Sequence, residues 1–426
     1  MRRKADVECS KILQSNDGAP GRHDDLDRRS RQHDARNACA RRLVANNLTD
    51  AASASRILLV TPTSPWAETF GSQQRTALLY EALRKLADVD VLLMSEGERD
   101  ETVAPDRPEI VGRLSWREPR GMPYKYATNR FVSRWCDAHL DWRRYRLAVG
   151  RHFTTITKIA WPRHVRTIAD CDDVLYRYVP RRDAPVWRML AAARGSMRTW
   201  QTKASLGRYD HAFLSCPRDR ELFGARRTSV LPNVPIGVGS LRVTADEEQD
   251  RILMVGSLWY GPNRNGIEWF LDKCWPTIAA RCPRLTLRLV GAAPPELRER
   301  WGRNARTSVA GFAEDLRDEY RRALFAVVPI RYGGGTCIKF VEAAAYGKAS
   351  VVTPFVFSGY DADFADGEAV LVGVDAADIA RKCVALAEDR DLRQRVAANA
   401  QRIAAERYTA ERFTAAVHAA AVPLLC

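Results

Sequence analysis

Several absences bound this chain of 426 residues before any motif is considered. No apolar run approaches the ~18 residues that a membrane-spanning helix needs, so no span is expected. The first residues, MRRKADVECSK, are basic and have no apolar core of the kind a secretory leader carries. The 10 cysteines include no C-x-x-C pair and no His/Cys cluster. Free thiols in the cytoplasm are the expected state, and neither a zinc site nor any other metal site is expected. No G-x-G-x-x-G follows Val60 or Val255, which argues against a dinucleotide-dependent dehydrogenase. No repeat of solenoid length is visible.

Acids are scarce in one half only. Residues 246–426 hold 24 Lys+Arg and 24 Asp+Glu, whereas the first 245 hold 43 bases and 28 acids and so carry the whole net charge of +15. One half is built to meet something anionic, such as nucleic acid, an acidic lipid surface or a phosphorylated substrate. A hydrophobic fraction of 46% supports real cores, and the length suits two domains.

The first 55 residues are polar and without periodicity, so disorder is expected there, as a tail before a first domain over 56–236. RILLVT, from Arg56 to Thr61, is the first strong strand. A loop containing Gly71, a helix and the strand Asp88–Met94 complete a β–α–β unit. Gly71 lies where ligands of open α/β sheets sit, and it is equally a residue that simply permits a turn. Residues 113–151 mix ten Arg/Lys with seven aromatics. Such a mixture either stacks on bases, sits at a bilayer interface, or is ordinary core beside solvated charge. RTIADCDD ends a strand with Asp170, Asp172 and Asp173, a cluster suited to capping or to acceptor contact. PNVPIGVG, from Pro232 to Gly239, has the composition of a linker. A second α/β set, 237–407, begins with the strand Arg251–Val255.

The most informative stretch is FAVVPI-RYGGGT-CIKFVEAAAYG-KASVVTP, from Phe325 to Pro354. It reads as strand, glycine loop, helix and strand. Gly333, Gly334 and Gly335 let backbone come close to a ligand, and Thr336 is the expected N-cap. Free N–H groups and the dipole of a helix start attract phosphate, and Arg331 and Lys339 add full positive charge. Glu342, a turn further on, suits sugar hydroxyls. The plainer reading is a turn-making loop with a solvated Lys339–Glu342 pair.

The order of motifs then goes further. GSLWYGPNRNGIEWFLDKCWPTI, LRLVG, VAGFAEDLRDEY and the glycine stretch follow one another as in the C-terminal domain of the group 1 (family 4-like) retaining glycosyltransferases. TPTSPWAETFGSQQRT, TIADCDDVLYRY and VLPNV in the first half also resemble that family, and the likeness covers about residues 56–412. It implies the α/β GT-B fold: two Rossmann-like domains facing across a cleft, with a last helix, 408–426, crossing back to the first domain. It implies that Gly71 and the loop Gly333, Gly334, Gly335 and Thr336 contact the donor diphosphate, that Glu342 binds the ribose, and that Gly311 and Phe312 meet the base. The family's first glutamate falls at Gly334 and is absent, which leaves the donor sugar open. An Arg and a Lys common in the family are replaced by Ser257 and Asn265, and Arg331 with Lys339 are expected to supply the missing charge.

The resemblance thus implies sugar transfer, with retention, from a nucleotide-diphosphate sugar to a hydroxyl of a saccharide or lipid-linked acceptor, in polysaccharide, lipopolysaccharide or other glycoconjugate synthesis. Asp170, Asp172 or Asp173 would face the acceptor. No cofactor, no metal and no nucleic-acid partner are expected. The enzyme is expected in the cytoplasm, with its basic half against the anionic inner membrane face. Two rivals remain: a non-catalytic binder of nucleic acid or anionic surfaces on a degenerate scaffold, and a sugar-nucleotide epimerase.

Overall fold

The computed structural model describes residues 56–425 apart from 67–70, 98–105, 118–125, 173, 175–184, 225, 237–249 and 314. The expectation for residues 1–55 lies outside the described residues, as does that for Asp173. The first half contains the strands β1 (Arg56–Thr61), β2 (Val89–Glu96), β3 (Ile110–Trp116), β4 (Tyr145–Arg151), β5 (Arg166–Asp170), β6 (His211–Leu214) and β7 (Thr228–Val230). The second contains β8 (Arg251–Val255), β9 (Thr286–Val290), β10 (Thr307–Val309), β11 (Phe325–Val328), β12 (Ser350–Val352) and β13 (Leu371–Val372).

Each half forms one parallel sheet, ordered β3-β2-β1-β4-β5-β6-β7 and β10-β9-β8-β11-β12-β13. Both have the Rossmann order, in which the chain reverses direction across the sheet beside its first strand. The reversals fall between β1 and β4 and between β8 and β11. These strands are apolar along their length because helices cover both faces. Ile57, Leu58, Leu59 and Val60 are all fully buried, which is why strict alternation is absent from the sequence.

Among the described residues of 113–151 the aromatic side chains divide between core and surface, and Phe131 is 60% exposed. Trp116, Tyr126 and Tyr145 are buried, and Trp135 packs where a Cβ at Gly112 would stand. This stretch supplies β3, the helix Arg130–His139 and the central strand β4. Its strands were hidden from pattern reading because Arg113, Arg144 and Arg146 interrupt the apolar run while their charges reach outward.

The two halves share one apolar cluster. Val149 and Phe213 of the first sheet belong to it with Val328, Val341 and Tyr360 of the second half. The helix Ala410–Leu425 completes it by returning to the first half. It packs on the helix Gly71–Leu83, with Phe413 and Val417 buried and His418 Nε2 2.8 Å from the Ala82 carbonyl oxygen. The helix that crosses back is therefore present as expected.

A buried ion pair sits under that crossing. Arg75, 1% exposed, donates from Nε and Nη2 to the two oxygens of Asp170 at 2.8 and 2.6 Å. Its Nη1 donates to the carbonyls of Leu231 and Pro232 and to Asn233 Oδ1, and its guanidinium lies 5.6 Å from the centre of the Phe413 ring. Removing one member of such a pair strands a charge in the core. Arg75→Ala is expected to lower the unfolding free energy by about 3–5 kcal/mol, and the Arg75→Ala/Asp170→Ala double variant to lose less than the sum of the singles. Urea unfolding of the four proteins measures this, and strictly additive losses would contradict it.

Candidate functional site

The sheet reversal in the second half fixes where a ligand can approach. The C-terminal ends of β8 and β11 open there, and β11 runs directly into Arg331 and the glycine loop. Gly256 ends β8 with φ at +145°, and a Cβ on it would lie 2.1 Å from Cε of Lys339. The lysine stem therefore lies across the end of β8 in space that only glycine leaves open. Its ammonium has no ion-pair partner among the described residues. Arg331 donates from Nη2 to Asn265 Oδ1 at 3.1 Å and stacks over Trp269 at 5.0 Å. Burial pushes its guanidinium below the ordinary arginine value, and no carboxylate offsets that. Arg331 thus occupies the neighbourhood of Asn265.

The glycine loop is pressed against the first half. Gly335 has φ at +63°, and a Cβ there would stand 2.5 Å from the backbone carbonyl oxygen of Asp172. Arg218 reaches over from the first half, donating to the Gly335 carbonyl at 3.1 Å and to Ser358 Oγ at 2.6 Å. Asn233 Nδ2 donates to Thr336 Oγ1 at 3.0 Å. That contact corrects one expectation. Thr336 does not cap the helix: the helix is Ile338–Ala345, its N-cap is Cys337, and no side chain caps it. The threonine hydroxyl is engaged with Asn233, so the helix start keeps its polar groups for a ligand or solvent.

Glu342 sits one turn into that helix and is 7% exposed, so it is not half of a solvated surface pair. Tyr320 donates its hydroxyl to Oε2 at 3.0 Å, and Tyr320 itself stacks on Tyr346 at 4.5 Å. Oε1 has no hydrogen-bond partner among the described residues. Burial pushes the carboxyl up, while the Tyr320 hydrogen bond and the Lys339 charge pull it back. The result is a held acceptor with one open oxygen. Gly311, with φ at +76°, follows β10, and its carbonyl accepts from the Gly291 N–H at the end of β9. Phe312 beside it is 48% exposed.

Among the first-half candidates, Gly71 opens the helix Gly71–Leu83 after β1. The aspartates separate. Asp170 is fully buried with both oxygens ion-paired, to Arg75 and also to Arg151 Nη1 at 3.5 Å. An acceptor cannot reach it, and this corrects its assignment to the acceptor side. Asp172 is 12% exposed, pairs with Arg151 Nη1, and presents its backbone to Gly335, so it lies where the two halves meet. Asp173 is outside the described residues.

Reasoning from sequence missed Arg75, Arg151, Arg218 and Asn233. Asn233 had a visible signal, since it follows a proline directly after β7. The arginines had none, because a buried arginine looks the same in sequence as a solvated one. Among the described residues no cluster of three His, Cys, Asp or Glu side chains could hold a metal, no disulfide forms, and no helix is long and apolar enough to cross a membrane.

Residues 249–389 match the family model described as glycosyl transferases group 1. No curated protein gives a match. The fold is similar to sucrose-phosphate synthase from Thermosynechococcus elongatus, with a TM-score of 0.65 and 18% identity over 85% of this chain and 97% of that one. HepE of Anabaena, solved with UDP and glucose, gives 0.58 and 14% over 85% and 98%. A glycosyltransferase from Rickettsia africae gives 0.56 and 11% over 87% and 99%. Two parallel sheets in Rossmann order, the returning C-terminal helix and these likenesses give the chain the GT-B architecture, and within it residues 249–389 are similar to the group 1 glycosyl transferases.

Proposed function

We propose that the protein transfers a sugar, with retention, from a nucleotide-diphosphate sugar to a hydroxyl acceptor in the synthesis of a polysaccharide or other glycoconjugate. The observation that carries this reading is the arrangement on one turn of helix. An uncapped helix start and Lys339 stand beside the end of β8, and buried Glu342 follows with one free oxygen. Anionic phosphate suits the first group, and the paired hydroxyls of a ribose suit the second. Exposed Phe312, next to the backbone of Gly311, is placed to cover a base. HepE was solved with UDP, so uridine diphosphate sugars are the first donors to test.

In this reading the bond from the anomeric carbon to the diphosphate oxygen breaks as the acceptor oxygen bonds the same face of that carbon. The acceptor proton passes to the departing phosphate oxygen. Negative charge grows on the diphosphate, and Arg331, Lys339 and the helix-start amides are already oriented to receive it. The reaction then needs no metal. Asp172, at the meeting of the halves, is the remaining described carboxylate on the acceptor side. The contact of Gly335 with Asp172 brings donor loop and acceptor side together, which excludes water.

Donor binding checks the reading by calorimetry. Lys339→Ala is expected to weaken UDP-sugar binding roughly 10–150-fold, the loss of a charge-assisted contact worth about 1.5–3 kcal/mol. Unchanged affinity would remove Lys339 from the phosphate site. Chelation with EDTA is expected to leave the transfer rate unaltered, and NMR of the product should show the donor's anomeric configuration kept.

The raised carboxyl of Glu342 also sets a pH dependence. Ribose hydroxyls donate to the ionised form, so affinity should climb as pH rises through a value above the ordinary carboxylate range and then level off. The same raised value acts oppositely on stability: its contribution is full at low pH and is lost as pH rises through the folded-state value. Glu342→Gln should bind roughly tenfold more weakly and flatten the affinity profile. A wild-type profile with no such rise would contradict the assignment.

A further inference from the structure

The helix Pro185–Leu206 carries a feature that donor chemistry does not use. Val186, Met189, Leu190, Met197 and Trp200 are between 45% and 65% exposed, and they account for half of the large apolar side chains that stand exposed among the described residues. At 100° per residue all five fall on one side of the helix, within an arc of about 100°, with exposed Ala193 among them. From Val186 to Trp200 the stripe runs about 21 Å. The opposite side seats the helix on the fold: Gly195, Thr202 and Ser205 are buried, and Thr202 lies 3.4 Å from the Tyr126 hydroxyl. A hydrophobic stripe facing outward on a firmly seated helix calls for an apolar surface to cover it.

The charge pattern selects the occupant. The 22 residues contain Arg188, Arg194, Arg198 and Lys203 and no Asp or Glu. Arg194, next to the stripe, is exposed, and so is Lys203. Apolar residues rich in Met and Trp, bordered by cations with no acid between them, match the interfacial layer of an anionic bilayer, where side chains enter the acyl boundary and cations meet lipid phosphates. The excess of 43 bases over 28 acids in the first 245 residues adds a long-range attraction of the same sign. We infer that the Pro185–Leu206 helix is a docking surface for an anionic membrane, with Val186, Met189, Leu190, Met197 and Trp200 inserting into the lipid interface. The helix follows β5, whose C-terminal edge bears Asp172 at the meeting of the halves. Docking through this helix would hold the protein at the surface that bears lipid-borne hydroxyls; only this last step rests on the proposed transfer reaction.

Co-sedimentation of the full chain with vesicles tests the inference without reading activity. Binding is expected to phosphatidylcholine vesicles that contain phosphatidylglycerol, and to be weak on phosphatidylcholine alone or at high salt. The exposed triple variant Met189→Ser/Met197→Ser/Trp200→Ser should reduce the partition at least tenfold while thermal melting and UDP-sugar affinity stay as in the wild type. Arg194→Glu should reduce it roughly fivefold. Equal partition of wild type and triple variant would overturn the assignment. So would a failure to bind either vesicle accompanied by a dimer that the triple variant abolishes, since a second copy of the chain would then be what covers the stripe.

Discussion

The closeness of Gly335 to the Asp172 carbonyl is the constraint on which the rest of the architecture turns. No side chain fits in that gap, and the backbone at Gly335 is left-handed. The glycine loop and the end of β5 can therefore meet without anything between them. Arg218 and Asn233 hold the meeting from the first half, and they bind the very loop that bears the helix start. A domain contact and a ligand loop have become one object. Any motion that separates the halves must also release Gly335 and Thr336, so parting of the halves and loosening of the glycine loop are mechanically the same event.

The buried charges divide by the same logic. Arg75, Asp170 and Arg151 are buried and ion-paired with one another in the first half. Arg331 has no carboxylate ion-pair partner among the described residues, and Lys339 acts on the Glu342 carboxyl only through its charge. A buried charge kept without a counter-ion is costly, and Arg331 bears that cost as a lowered basicity. The arrangement is sustainable because an anionic ligand can restore the balance. The first set is balanced within the fold, and the second has charge left to offer.

Much of this was legible in the residues. RILLVT and RILMV are unbroken apolar runs closed by turn residues, and their strands fall at Arg56–Thr61 and Arg251–Val255 as read. The glycine stretch announced its strand, loop and helix for the same reason. The cap of that helix was misread, because Thr336 in sequence resembles any N-cap threonine, and only tertiary contact shows its hydroxyl bound by Asn233. Asp170 was misplaced on the acceptor side for a similar reason. Its partner Arg75 is remote in sequence, and no local pattern records a pairing across the sheet. What could be read was periodic and local; what could not was the matching of charges brought together by the fold.

Glu342 shows how far one position can depend on its surroundings. In sequence it is a glutamate three residues after a lysine, a commonplace helix pair. In the fold Tyr320 donates to one oxygen, Tyr346 backs Tyr320, and burial raises the carboxyl. Burial and the bond to one oxygen restrict the side chain. A flexible surface carboxylate keeps the conformational freedom that this buried, hydrogen-bonded one gives up in folding. The placement of this carboxylate is thus prepared by two tyrosines, one bonded to it and one stacked behind.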